Sequence, residues 1–214
     1  MSLLSTWPAP APITVAILAG GMSQRMGMDK AWVDLGGRPL ITWALDHARA
    51  IGEEVLVVTR TAAQAEAWGD QVELAGVRVV ADHRPNHGPL GGLVTALAEG
   101  RRATVALLPV DTPFASVALS QTLIARCTAA AVLLPRWADR LQPLRAVYAR
   151  QTCLPHLEAE CKRGHLKLVR ALDGLAPRIL DEPELRPFDP DGLSFFNLNT
   201  PADLALARAR LTAQ

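Results

Sequence analysis

The sequence predicts an α/β fold, a Rossmann-like and mostly parallel sheet with helices on both faces. Short apolar, β-branched runs recur along its first two thirds. They are apolar throughout instead of alternating, as strands covered on both faces are. Ala/Leu-rich helical stretches lie between them, and alternation of strand and helix is the economical signature of a parallel sheet.

The strand runs are ITVAIL from Ile13, EVLVVT from Glu54, GVRVV from Gly76, ATVALLPV from Ala103 and AAAVLLP from Ala129. The helical stretches between them include PLITWALDHARAI, TAAQAEAWG and PLGGLVTALAEG. After about Arg136 the pattern changes. RLQPLRAVYAR predicts an extended element leading into a helix, and LPHLEAECKRGHLKLVRAL predicts two helices with Gly164 between them. DEPELRPFDPDG, rich in proline and acid, reads as a loop. FFNLNTPADLALARARL predicts a short strand, a turn and a terminal helix. Thr200 and Pro201 suit the N-cap and first helical position, with Asp203 in the first turn. No internal repeat or linker divides the chain, so one domain is expected over residues 13–214, behind a mobile Pro/Ala segment at 1–12.

Composition narrows the function classes. The 214 residues are half hydrophobic, enough for a substantial core, and their formal net charge is +1. No charge excess calls for nucleic acid or an anionic membrane, and aromatics at 5% are too sparse for a base-stacking surface. Three cysteines, Cys127, Cys153 and Cys161, without a Cys-x-x-Cys pair, read as reduced thiols. The start MSLLSTWPAPAP is not a signal peptide, and no run reaches membrane-spanning length. A soluble, cytoplasmic protein is expected.

The stretch VAILAGGMSQRMGMDKAWVDLGG, Val15 to Gly37, carries the strongest functional signal. An apolar run empties into Gly20 and Gly21, and Arg25, Gly27 and Lys30 follow in one long loop. Backbone N–H groups after a strand, with nearby cations, suit a polyphosphate. The two glycines alone are equally well an ordinary turn. The spacing is neither that of a Rossmann loop nor of a P-loop. Asp111, in LLPVDTPF, ends an apolar run, where it suits either Mg2+ against phosphate oxygens or a helix entry. Asp82, in VVADHRP, also ends a strand run and is either a turn residue or a ligand contact.

LAGGMSQRMGMDKA resembles the signature of the sugar-nucleotide-type nucleotidyltransferases, L-A-G-G-x-S-x-R-M-G-x-D-K, and its DKA ending is similar to the molybdopterin guanylyltransferases of that superfamily, the MobA-like group. GGRPLI, VVADHRPNHGPLGGLVTAL, LLPVDTPF and FFNLNTPADL agree in order and spacing, so the resemblance spans about residues 13–210. It implies a nucleotide-diphospho-sugar transferase type of sheet, with a nucleotide-binding half at about 13–135, an acceptor-binding half at about 136–200 and a terminal helix at 201–213. It further implies GMP transfer from GTP to the molybdenum-molybdopterin cofactor, with Mg2+ or Mn2+ as the metal. Cofactor-accepting molybdoenzymes or their chaperones would be partners. Cytidylyl transfer from CTP and a non-catalytic nucleotide- or molybdopterin-binding chaperone are the rivals. Gly20 in place of alanine, and Asp29 before the lysine, favour guanylyl.

Residue by residue, the resemblance implies Leu18, Ala19, Gly20 and Gly21 as nucleotide contacts. Arg25 and Lys30 are charge-stabilising catalytic groups, and Asp111 is catalytic and holds the metal. Asp82 would read base or ribose, with Gly88, Gly91 and Gly92 letting backbone lie against a flat base. Thr59 stands where relatives often carry asparagine, and Val110 where they often carry cysteine. Asn197 and Asn199, on one side of the expected strand, would face the acceptor. The terminal phosphate of the pterin would meet cations among Arg140, Arg145, Lys162, Arg163, Lys167 and Arg170, most of which form a solvated face. No nucleophile is expected, and His83 and His87 read as loop histidines.

Overall fold

The computed structural model describes residues 11–20, 22–23, 28–128 and 130–212. Strand β1 (Ala11–Leu18) is followed by two small antiparallel pairs, β2 (Met22–Ser23) with β3 (Met28–Asp29) and β4 (Asp34–Leu35) with β5 (Arg38–Pro39). A 3-10 turn, Lys30–Trp32, separates them. Then come α1 (Leu40–Ile51), β6 (Gly52–Thr59), α2 (Ala62–Gly69), β7 (Arg78–Ala81), α3 (Gly88–Glu99), β8 (Thr104–Pro109) and α4 (Val117–Arg126). The last third holds β9 (Val132–Trp137), β10 (Arg140–Leu141), β11 (Val147–Ala149), α5 (Arg150–Lys162), α6 (Leu168–Ala171), β12 (Arg178–Leu180), α7 (Glu182–Leu185) and α8 (Pro201–Thr212).

Eight strands form one sheet in the order β10-β9-β11-β8-β1-β6-β7, with β12 also on β9. β7, β6, β1 and β8 are parallel neighbours, as are β12 and β9, whereas β10 pairs antiparallel with β9, and β11 with both β8 and β9. Across β7-β6-β1-β8 the chain order is third, second, first, fourth. The winding therefore reverses between β1 and β8, the place where open α/β sheets form a crevice at the carboxyl ends of their strands.

Because successive strand residues point to opposite faces, each strand feeds two cores. Ile13, Val15 and Ile17 of β1 pack with α1 and α4 on one face. Ala16 of β1, with Leu56 and Val58 of β6, packs with α3 and α5 on the other. A third cluster joins Val33, Leu35 and Leu40 to Leu198 and Ala207, so α8 is clamped onto the segment that carries Lys30.

Three expectations need correction. Of the segment expected to be mobile, Ala11 and Pro12 belong to β1, and residues 1–10 lie outside the described residues. DEPELRPFDPDG contains α7, because Asp181 and Glu184 form a reciprocal capping box that offsets its short length. FFNLNT is no strand. A 3-10 turn, Leu193–Phe195, enters it, and the Leu198 N–H goes to the Asp111 carbonyl at 2.9 Å instead of to a ladder. The terminal helix behaves as expected, with Thr200 Oγ1 accepting from the Asp203 N–H at 3.2 Å.

Candidate active site

A cleft of about 400 Å³ opens at the carboxyl ends of β1, β6, β7 and β8, over the switch point. Leu18 and Gly20 line it from β1, Val58, Thr59 and Arg60 from β6, and Asp82 from the end of β7. Pro109, Val110 and Asp111 line it from the end of β8, Gly88, Pro89 and Gly92 from α3, and Leu144 from the 3-10 turn Pro143–Arg145.

Its charged centre is built from three distant parts of the chain. Lys30 Nζ donates to Asp111 Oδ2 at 2.7 Å and to Asn199 Oδ1 at 2.6 Å. The Lys30 and Asp111 side chains are only 12% and 16% exposed, so their ion pair is partly shielded from water. Lys30 is fixed from beneath. Asp29 caps its 3-10 turn by accepting from Ala31 N at 3.2 Å and also holds the Gln64 carboxamide of α2. Burial raises the Asp29 pKa against these two hydrogen bonds. Ala31 is fully buried, and Trp32 meets Trp68 edge to face at 5.3 Å. Asn199 is fixed through its backbone: Asp203 Oδ2 accepts from Asn199 N at 2.9 Å and Thr200 N at 2.8 Å. These hydrogen bonds, that from Asn199 first, hold the Asp203 carboxyl below its ordinary pKa.

At the opposite wall, Asp82 Oδ1 accepts from Arg84 N at 2.8 Å and from Thr95 Oγ1 at 3.0 Å. Its Oδ2 takes no hydrogen bond from the described residues. Asp82 is thus a turn residue, as one of the two alternatives had it, and it also lines the cleft. The Thr59 side chain is fully buried, and its hydroxyl is shared between the Thr61 and Val80 carbonyls, each at 3.2 Å. Its proton is therefore committed to the fold.

The remaining expected residues divide. Ala19 is fully buried beside the cleft, its N–H on the Val58 carbonyl at 2.9 Å. Gly88 and Gly92 line the cleft, whereas Gly91 lies against the Arg84 carbonyl and Asp82 Oδ2. Asn197 is exposed and bonds back to the Phe195 carbonyl at 3.2 Å, so the two asparagines part company. Gly21 and Arg25 lie outside the described residues. Arg145 cannot receive an acceptor phosphate: it is 6% exposed, and its guanidinium donates to Ser120 Oγ at 3.4 Å. Burial lowers its pKa to about 10 against the opposing pull of Asp189. Burial raises the pKa of all three thiols, that of Cys153 to about 12, and so lowers their thiolate fraction.

Sequence reasoning missed Arg60, Leu144, Gln64 and Thr95. Gln64 and Thr95 hold Asp29 and Asp82 from far along the chain, whereas Arg60 directly follows Thr59 in the cleft wall.

The donor set at Asp111 and Asn199 is one carboxylate and one carboxamide oxygen. Among the described residues no group of three or more His, Cys, Asp or Glu side chains forms a metal cage. Such a set suits Mg2+, which keeps waters and substrate phosphates in its shell, and does not suit a zinc-type site. Among the described residues no helix is long and apolar enough to cross a membrane.

Comparison with known proteins accords with this geometry. Residues 15–176 match the MobA-like NTP transferase domain. The chain belongs to that family. A probable molybdenum cofactor guanylyltransferase of Chloroflexus aggregans is 35% identical over 205 residues, covering 91% of this chain and 93% of the relative. One from Pelotomaculum thermopropionicum is 31% identical, covering 91% of each. The crystal structure of molybdopterin-guanine dinucleotide biosynthesis protein A from Archaeoglobus fulgidus superposes with a TM-score of 0.82 at 29% identity. That match covers 94% of this chain and all of the other. The family generally uses a divalent metal.

Proposed function

We propose that this protein is a molybdenum cofactor guanylyltransferase, moving GMP from GTP to the terminal phosphate of the molybdenum-molybdopterin cofactor. The observation that carries this reading is the meeting of Lys30, Asp111 and Asn199 at the switch-point cleft, in a chain whose relatives bear that activity in their names.

The nucleotide lies along the ends of β1 and β6, with Leu18 and Gly20 against it. Asp82 offers its one unshared oxygen to a donor on base or ribose. Lys30 donates to phosphate oxygens and offsets the charge that grows around the α-phosphorus as the acceptor phosphate attacks and pyrophosphate leaves. Arg25 has the same task from the preceding loop. Positioned cations of this kind are the main lever in phosphoryl and nucleotidyl transfer, where little covalent work falls to the protein. Asp111 holds Mg2+, which, when bound, neutralises the triphosphate and supports the leaving group. The acceptor approaches from the Leu144 and Asn199 side, and no enzyme-bound covalent intermediate is needed.

Calorimetric titration with GTP and with CTP, each with Mg2+, tests the nucleotide. Tight binding of GTP and weak binding of CTP are expected, and the reverse preference would assign the chain to cytidylyl transfer.

A further inference from the structure

Two oxygens, Asp111 Oδ2 and Asn199 Oδ1, converge on one cation, and that cation belongs to the protein. The Lys30 ammonium is 2.7 Å from the first and 2.6 Å from the second. Neither approach is accidental to a mobile side chain. Asp111 and Asn199 are tied together through the Leu198 N–H on the Asp111 carbonyl, at 2.9 Å. Asp203 anchors the Asn199 backbone, while Asp29 and the buried Ala31 anchor Lys30 from the other side. A carboxylate and a carboxamide facing one point are hard oxygen donors, the chemistry that selects Mg2+ or Mn2+ over softer ions.

Resting on the nucleotidyl-transfer reading of the cleft, in which Asp111 and Asn199 supply the oxygens that face the metal, we infer that Lys30 is an internal stand-in for the divalent cation. In the free enzyme Lys30 satisfies both oxygens and keeps the partly buried Asp111 carboxylate from standing unpaired. When a metal–nucleotide complex enters, Lys30 would give up both hydrogen bonds, and Asp111 and Asn199 would hold the cation in its place. Lys30 is released toward the phosphates, its catalytic partners. The exchange links the two events: metal enters with the triphosphate that gives the displaced ammonium somewhere to go. Metal alone must evict a cation from a shielded carboxylate, with no anion to receive it, and so binds poorly.

The test uses the full chain and Mn2+ alone, with no nucleotide, and reads free Mn2+ by electron paramagnetic resonance. Wild type should bind Mn2+ weakly, while Lys30→Met should bind it at least about tenfold more tightly, because the carboxylate is left without its partner. Lys30→Gln serves the same purpose if the methionine variant folds poorly. Adding Asn199→Ala to Lys30→Met should lose most of the gain, and adding Asp111→Ala should lose all of it. Equal Mn2+ affinity in wild type and both Lys30 variants would overturn the stand-in role. A gain that survives Asn199→Ala would remove Asn199 from the metal site. Failure of wild type to bind GTP with Mg2+ refutes the reading of the cleft itself, whereas normal GTP binding without a Lys30 effect refutes only the exchange.

Discussion

Gly91 sits inside helix α3, where alanine would normally be the better residue, yet the structure predicts that Gly91→Ala is damaging. A Cβ there would lie 2.3 Å from the Arg84 carbonyl oxygen, 3.1 Å from its carbon and 3.0 Å from Asp82 Oδ2. Relieving the carbonyl contact takes a movement of about 1 Å toward normal van der Waals separation. Overpacking of this kind costs about 1–3 kcal/mol. Replacing a helical glycine returns up to about 1 kcal/mol. With the full return, the net expectation is a loss of up to about 2 kcal/mol in urea unfolding.

The displaced atoms belong to the turn that holds Asp82. The Arg84 N–H bonds Asp82 Oδ1, and the Arg84 carbonyl accepts from His87 N at 2.9 Å. A raised KM for the nucleotide should therefore accompany the lost stability. Gly69, at the end of α2, supplies the control: a Cβ there meets nothing within 4 Å, and Gly69→Ala should be neutral or stabilising by a few tenths of a kcal/mol. If Gly91→Ala unfolds at the same urea concentration as Gly69→Ala, with an unchanged nucleotide KM, the packing account of Gly91 is wrong.

Asp111→Ala should leave the fold intact by circular dichroism and reduce turnover by at least about a thousandfold, the scale of losing a principal charge-organising group; near-normal metal-dependent turnover would remove it from the site. Asp203→Ala should cost about 1 kcal/mol through the lost cap and lower kcat more than the GTP affinity, because Asn199 is mispositioned. Asp203→Asn, which retains an acceptor oxygen, should recover part of both; no recovery would limit Asp203 to an electrostatic role. Acid stability follows from His47, whose Nε2 faces Ser120 Oγ at 2.9 Å. Burial, reinforced by the Arg145 charge, pushes its pKa down to about 3. The unfolded chain, titrating near about 6.5, takes up the proton first, so this contribution is intact above that pH and is lost as pH falls toward 3. At pH 5 the loss is about 2 kcal/mol, and unfolding of His47→Gln should lack that part of the decline.

The central strands were legible because β1, β6, β8 and β9 are buried on both faces, which leaves a continuous apolar run in sequence. α4 left no comparable mark before the structure, since its start depends on Ser116 accepting from the Leu119 N–H after an ambiguous Asp-Thr-Pro-Phe turn. The site was legible residue by residue only where a strand ends in a polar group, as at Asp82 and Asp111. Their pairing was not legible. The third cluster of apolar residues, scattered from Val33 to Ala207, brings the Lys30 and Asn199 segments together, and the Leu198 N–H on the Asp111 carbonyl adds Asp111. Gly20 illustrates a signal with two causes: it lines the cleft, but a Cβ there would also lie 3.3 Å from the Arg60 backbone nitrogen. Packing against Arg60 is therefore by itself a reason for glycine at this position.

The most direct test of guanylyl transfer follows the reacting atom. The protein is incubated with Mg2+, the molybdenum-molybdopterin cofactor and GTP labelled at its α-phosphorus, and the products are separated. Label should appear in a guanine dinucleotide form of the cofactor, with an equal amount of pyrophosphate released, and CTP should give neither product. Absence of label in the cofactor despite bound GTP, or transfer from CTP in its place, would contradict the account.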